Sequence, residues 1–178
     1  HEEAKSALER LRDANYYQYD IVMAGGKHTS RTFVKRTLVG NPGITYKYLG
    51  LRLFAHAWSG PGVSPLMRSI CDMNRKMIRM TQKFENHQNC EYNLTLINYM
   101  EPTTHSSRVG FKEEANYGMG KVSVSWHADS SLELGSSIGV YHCLPTQKSS
   151  KWDWRIALRP SPESAAARDR VKPIVVDT

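Results

Sequence analysis

From Tyr92 onward the chain changes to a period of two, in segments where apolar and polar side chains alternate, and no other feature restricts the fold as much. The alternation is clear in "EYNLTLINYM" (91–100) and "KVSVSWHAD" (121–129), and "SIGVYHC" (137–143), "KWDWRIALRP" (151–160) and "KPIVVDT" (172–178) read as further strands. Successive side chains of a strand point to opposite faces, so this half is expected to form a sheet with one face turned inward. "CLPTQKSS" and "RPSPESAAARDR" have the composition of connecting loops.

The first half has a different rhythm. In "HEEAKSALERL" the residues Ala4, Ala7, Leu8 and Leu11 fall at helical spacing, which predicts a short amphipathic helix that packs on a sheet. Residues 16–58 are rich in aromatic and β-branched side chains and are interrupted by "AGGK" and "GNPG", so they predict several short strands joined by turns. Ser64 and Pro65 suit the N-cap and first position of a long helix running to Asn86. Leu66, Ile70, Met73, Met77, Met80 and Phe84 form its apolar stripe, and Arg68, Arg75, Lys76, Arg79 and Lys83 its solvated face. The 178 residues suffice for one α+β domain with a single core: a helix and strands over 1–60, the long helix over 64–88 and sheet over 90–178.

Composition narrows the partners. With 24 Lys and Arg against 17 Asp and Glu the chain carries a formal charge of +7, which favours polyanions, nucleic acid first among them. Cys71, Cys90 and Cys143 are odd in number and never in a CxxC pair, which argues against a disulfide framework or a zinc knuckle and for a reducing compartment. No apolar run approaches the about 20 residues that cross a bilayer, and the expectation is a soluble intracellular protein without a membrane partner. The absence of an initiating Met suggests a piece of a longer chain. The GxSxG and HExxH patterns of other enzyme classes are missing.

Two residues stand out for chemistry. If "KVSVSWHAD" is one strand, His127 and Asp129 share a face, and an imidazole beside a carboxylate can hold one metal ion. Completed by a second imidazole, that set is the facial arrangement of non-haem Fe(II) oxygenases. The bare spacing is weak, and by itself it suits a hydrogen-bonded polar pair at a strand end better.

The surrounding segments resemble the FTO-type (fat mass and obesity-associated) demethylases of the AlkB-like Fe(II)- and 2-oxoglutarate-dependent dioxygenase family. "RTLVGNPGITYKYLGLRLF" is similar to the family's substrate-recognition segment, "YNLTLINYMEP" to the strand before the site, and "KEEANYGMGKVSVSWHADSS" to the metal strand and its lead-in. The resemblance implies a partial double-stranded β-helix, or jelly roll, flanked by the two helices. It implies His127 and Asp129 as iron ligands and Asn98 as a hydrogen-bonding partner of 2-oxoglutarate. It implies that Arg36, Tyr46, Tyr48, Lys112 and Ser125 contact a methylated base or its nucleotide, and that Leu49, Val124 and Trp126 wall the ring. The implied activity is oxidative demethylation of N-methylated bases in single-stranded nucleic acid, RNA before DNA, with release of formaldehyde. Such a base must leave its stack to be reached. A nuclear location and a separate C-terminal helical domain are implied as well.

The chain departs from the family pattern in two places. Ala128 and Ser130 stand where a second histidine and an acidic residue are usual, which leaves the preferred base open. The family's distal histidine and its 2-oxoglutarate-binding arginine are expected beyond Thr178. His142 reads as a strand residue, and Arg155, Arg159, Arg168 and Arg170 receive no co-substrate role. Two other readings stand beside the demethylase: a catalytically silent nucleic-acid-binding module of the same fold, and a 2-oxoglutarate hydroxylase of another substrate.

Overall fold

The computed structural model describes residues 2–24, 28–48, 50–81, 91–101, 111–114, 119–129, 132, 136–143, 155–164 and 171–177. These fall into two compact units, one made of residues 1–100 with 131–144, the other of 101–130 with 145–178.

The first unit opens with helix α1 (Glu2–Asp13), which carries Glu2 and Glu3 in its first turn and Arg10 and Arg12 in its last. Both placements oppose the partial charges of the helix ends. Its end is built by the chain itself. Asn15 takes a left-handed φ of 57°, Tyr16 N–H donates to Leu11 C=O at 3.0 Å, and Asn15 N–H donates to Arg12 C=O at 2.9 Å. Those two bonds make a Schellman cap, and Asn is among the few non-glycine residues that tolerate the conformation. Tyr16 is thereby turned back toward the core.

Strands β1 (Ile21–Ala24) and β2 (His28–Arg31) form an antiparallel hairpin. Its base is closed by Thr32, whose N–H donates to Asp20 C=O at 2.9 Å and whose Oγ1 accepts from Asp20 N–H at 3.0 Å. Strand β3 (Lys35–Gly40) follows. The hairpin of β4 (Thr45–Tyr48) and β5 (Leu51–Phe54) comes next, and then the short β6 (His56–Ala57). Between β3 and β4, "NPGI" is a tight turn as expected: Ile44 N–H returns to Asn41 C=O at 3.1 Å and Gly43 adopts φ 80°. Proline then glycine at the central positions, the latter with positive φ, is the type II pattern.

Helix α2 (Pro65–Thr81) starts where Ser64 and Pro65 predict, with Leu66 N–H donating to Ser64 Oγ at 3.2 Å. Its stripe is buried at Leu66 and Ile70, half-buried at Met73 and Met77, and lost at Met80, which is 67% exposed; Phe84 and the expected last turn lie outside the described residues. Met67 and Asn74 are buried in addition. Strand β7 (Leu94–Tyr99) pairs antiparallel to β3, and β6 pairs parallel to it on the other side, which gives the sheet order β6-β3-β7.

The core of this unit joins Ala7 and Leu11 of α1, Tyr17, Val39 of β3, Trp58, and Leu66, Met67 and Ile70 of α2. Leu11, Ile70 and Val39 are essentially without solvent contact, and each contributes about 1.5–3 kcal/mol of transfer free energy. Asn74 Nδ2 donates to Thr95 Oγ1, tying α2 to β7, and Lys76 pairs with Glu3 across the two helices. At Gly40 a Cβ would lie 2.8 Å from Asn93 O, 2.8 Å from Ile44 Cγ2 and 2.9 Å from Leu94 Cδ1, so only glycine lets the strand approach its neighbours there.

The second unit contains two antiparallel pairs: β8 (Lys112–Glu114) with β9 (Gly120–Val122), and β10 (Arg155–Leu158) with β11 (Ile174–Asp177).

Helices and strands are mixed as expected, but the sheets are small: one of three strands and four of two among the described residues. The double-stranded β-helix is not evident in these short ladders. The strand expected over 121–129 stops at Val122, because β8 starts at Lys112 and offers Ser123 onward no ladder partner among the described residues. Residues 137–143 likewise form no strand, and Ile138 and Val140 are exposed. Alternation there reports no buried face. Gln82–Asn86 and Lys151–Trp154 lie outside the described residues. Among the described residues no helix is long and apolar enough to cross a membrane.

Leu11→Ala should lower unfolding free energy by about 2–5 kcal/mol in urea titrations, whereas Met80→Ala, on the exposed end of α2, should change it by less than about 0.5 kcal/mol. Burial pushes the Tyr17 phenol up to about 12 from an ordinary value of 10.0. The folded state then keeps a proton that the unfolded state releases, so stability should fall as pH rises from about 10 to 12. Tyr17→Phe should flatten that part of the profile.

Candidate functional site

In the second unit, β9 delivers the chain to an irregular segment, residues 123–129, that carries the proposed metal pair. His127 Nδ1 lies 2.8 Å from Ser125 C=O. A carbonyl only accepts, so in the neutral ring the proton sits on Nδ1 and the lone pair on Nε2. That nitrogen lies 3.8 Å from Asp129 Oδ1, and the two side chains are 58% and 40% exposed. The separation is too long for a hydrogen bond. Two donors each about 2.1 Å from one cation can stand at most about 4.2 Å apart, so the pair can share an ion. An imidazole anchored through its other nitrogen to a backbone carbonyl is also the usual outer arrangement of a metal-ligating histidine. The pair thus comes together through a loop and not through one face of a strand. Among the described residues no third His, Cys, Asp or Glu joins it.

The neighbouring residues have their own partners. Trp126 Nε1–H donates to Glu114 Oε2 at 2.8 Å, and the Arg159 guanidinium lies 4.3 Å from the centroid of the indole. This aromatic ring therefore has a cation over it, in the geometry of a cation–π contact. Val124 and Ser125 are exposed, and Lys112, also exposed, sits opposite Val122 in the β8–β9 ladder. The sequence leaves Arg159 without a role, and no pattern links it to Trp126, since the two are 33 positions apart in a chain whose intervening ladder cannot be read from periodicity.

In the first unit, Arg36 and Asn98 face each other directly across β3 and β7. Arg36 is 7% exposed. Its Nη2 meets Asp20 Oδ2 at 2.6 Å, off the hydrogen-bonding axis, and its guanidinium carbon lies 3.5 Å from the centroid of the Tyr48 ring. Asn98 is exposed. Tyr46 and Tyr48 alternate with Lys47 along β4 and so share a face of the β4–β5 hairpin, opposite Leu53 and Leu51. Leu49 lies outside the described residues.

A cleft of about 380 Å³ opens beside this platform, lined among others by Tyr16, Tyr19, Asp20, Arg36, Phe54 and His56. Tyr16 meets His56 edge to face at 5.0 Å, and Arg31 and Lys35 sit over Tyr19 at 4.4 and 5.3 Å. Aromatic faces with interleaved cations suit unstacked bases and their phosphates. Asp20 escapes sequence reasoning because only the fold-back of the β1–β2 hairpin brings it to Arg36.

A family model described as "FTO catalytic domain" matches residues 1–68 and 65–166 of the chain. A curated Xenopus laevis protein, "Alpha-ketoglutarate-dependent dioxygenase FTO", is 32% identical over 180 residues, a match covering 76% of this chain and 35% of the frog protein. The chain thus spans about a third of the length of that relative. With His127 and Asp129 falling inside the matched region and the match running through most of the sequence, the chain belongs to the FTO catalytic domain family.

Proposed function

We propose that this chain is part of an Fe(II)- and 2-oxoglutarate-dependent dioxygenase that removes N-methyl groups from bases of single-stranded nucleic acid, RNA before DNA. The observation that carries the reading is the geometry at His127. Its Nδ1–H is committed to Ser125 C=O and its Nε2 stands 3.8 Å from Asp129 Oδ1, inside the matched region.

His127 and Asp129 would hold the metal, their nitrogen and oxygen donors suiting Fe(II), and a distal histidine outside the described residues would complete the set. Bound Fe(II) with 2-oxoglutarate supplies the activation of dioxygen that hydroxylates an N-methyl carbon, after which formaldehyde leaves and the base is restored. The chain's own residues position what reacts. The Ser125 carbonyl fixes the tautomer and orientation of His127. Asn98 offers amide donors and an acceptor to the co-substrate carboxylate. By the family resemblance, Arg36, Tyr46 and Tyr48 are the residues for the base edge, and Leu49, Val124 and Trp126 those for its faces. Lys112 and Ser125 contact the nucleotide. A formal charge of +7 supports attraction to the phosphate backbone, with affinity that falls as salt rises. The partial jelly roll of the family is the framework proposed for this chain.

With N-methylated single-stranded RNA, Fe(II) and 2-oxoglutarate, the complete gene product should release formaldehyde, and His127→Ala should bring release down to the level without Fe(II). Turnover that survives His127→Ala would overturn the iron assignment. Absence of turnover in the unmodified protein, with oligonucleotide binding intact, would favour a silent binding module.

A further inference from the structure

We infer that Asp20 is a positioning residue for substrate recognition, acting through Arg36; this rests on the reading of Arg36 as a base-contacting residue. The inference stands on a continuous chain of contacts inside the first unit. The backbone of Asp20 is clamped on both sides, its N–H donating to Thr32 Oγ1 at 3.0 Å and its C=O accepting from Thr32 N–H at 2.9 Å. Thr32 Oγ1 is itself anchored, donating to Val34 C=O at 3.2 Å. A carboxylate on so fixed a backbone has little freedom.

That carboxylate meets Arg36 Nη2 at 2.6 Å, with the two side chains only 15% and 6% exposed. Arg36 is held from the other direction by Tyr48, whose ring lies 3.5 Å below the guanidinium carbon, and its backbone N–H and C=O exchange bonds with Gln18 at 2.9 and 3.0 Å. An arginine side chain carries many rotamers, and binding a planar ligand edge requires one of them. Tyr48 fixes the plane of the guanidinium. Asp20 draws one guanidinium nitrogen toward one oxygen by charge, off the hydrogen-bonding axis, and so biases the rotation of the group within that plane. The N–H groups on the far side of the fork are then aimed before any base arrives. Asp20 and Arg36 both line the cleft, so the ion pair stands at its wall.

The pair has a second consequence. Asp20 closes the base of the β1–β2 hairpin, so a displacement of that hairpin is transmitted to Arg36 through one ion pair. Neutralising Asp20 while keeping its shape should release the guanidinium without emptying the site.

The test compares the complete gene product with Asp20→Asn and Asp20→Glu, loaded with Fe(II) and 2-oxoglutarate. Methylated and unmethylated single-stranded RNA of one sequence serve as probes. Asp20→Asn should raise KM for the methylated strand by about ten-fold and bring its binding closer to that of the unmethylated strand. KM for 2-oxoglutarate and 2-oxoglutarate consumption without RNA should stay as in the unmodified protein, and Asp20→Glu should restore part of the discrimination. A loss shared equally by 2-oxoglutarate consumption and RNA turnover would mean a merely structural role and would overturn the inference. So would discrimination unchanged in Asp20→Asn. An unmodified protein that binds both strands alike would instead overturn the substrate reading, and this inference with it.

Discussion

Strand β3 is the constraint on which the first unit depends. Its residues are buried continuously from Arg36 to Gly40, because β7 pairs along one edge, β6 and the Gln18 bridge occupy the other, and Val39 sinks into the core beneath α1 and α2. A central strand covered in this way loses the alternation of a half-buried one. The same strand carries Arg36, so the residue we propose for base recognition is mounted on a strand that is buried and paired on both sides. Rigid elements hold functional groups in place better than loops do.

The buried pair of Arg36 and Asp20 fits that logic of placement more than a logic of stability. Removing two charges from water is expensive, and their attraction offsets the cost only with favourable geometry. Here the contact is short but off the hydrogen-bonding axis. A hydrophobic pair of similar volume would serve folding as well or better. What a hydrophobic pair would lack is a charge that draws the guanidinium to one side.

Much of this was legible in the sequence where local chemistry decides. Ser64 and Pro65 mark the start of α2, "GNPG" marks the turn between β3 and β4, and the apolar spacing of Ala4, Ala7 and Leu11 marks α1. Periodicity failed where a ladder partner decides. "SVSWHAD" alternates as a strand does, yet beyond Val122 it has no described neighbour to pair with, and alternation alone cannot supply one. The proximity of His127 to Asp129 survived that failure, since residues two apart can be brought together by a loop as readily as by a pleat. The contacts of Asp20 with Arg36 and of Arg159 with Trp126 depend on chain reversals of 16 and 33 residues, which no local pattern records.

Gly40 sets the terms on which this platform can diversify. A side chain there would strike the Asn93 carbonyl, a backbone atom with no rotamer to move into, at the point where β3 hands the chain to the turn preceding Tyr46 and Tyr48. The two tyrosines sit on a hairpin that is only partly buried, so a change of side chain there meets no backbone wall. At Gly40 it does. The glycine acts as a datum point: a change on the hairpin face leaves the seating of β3 where it is, whereas a Cβ at this position displaces the strand itself.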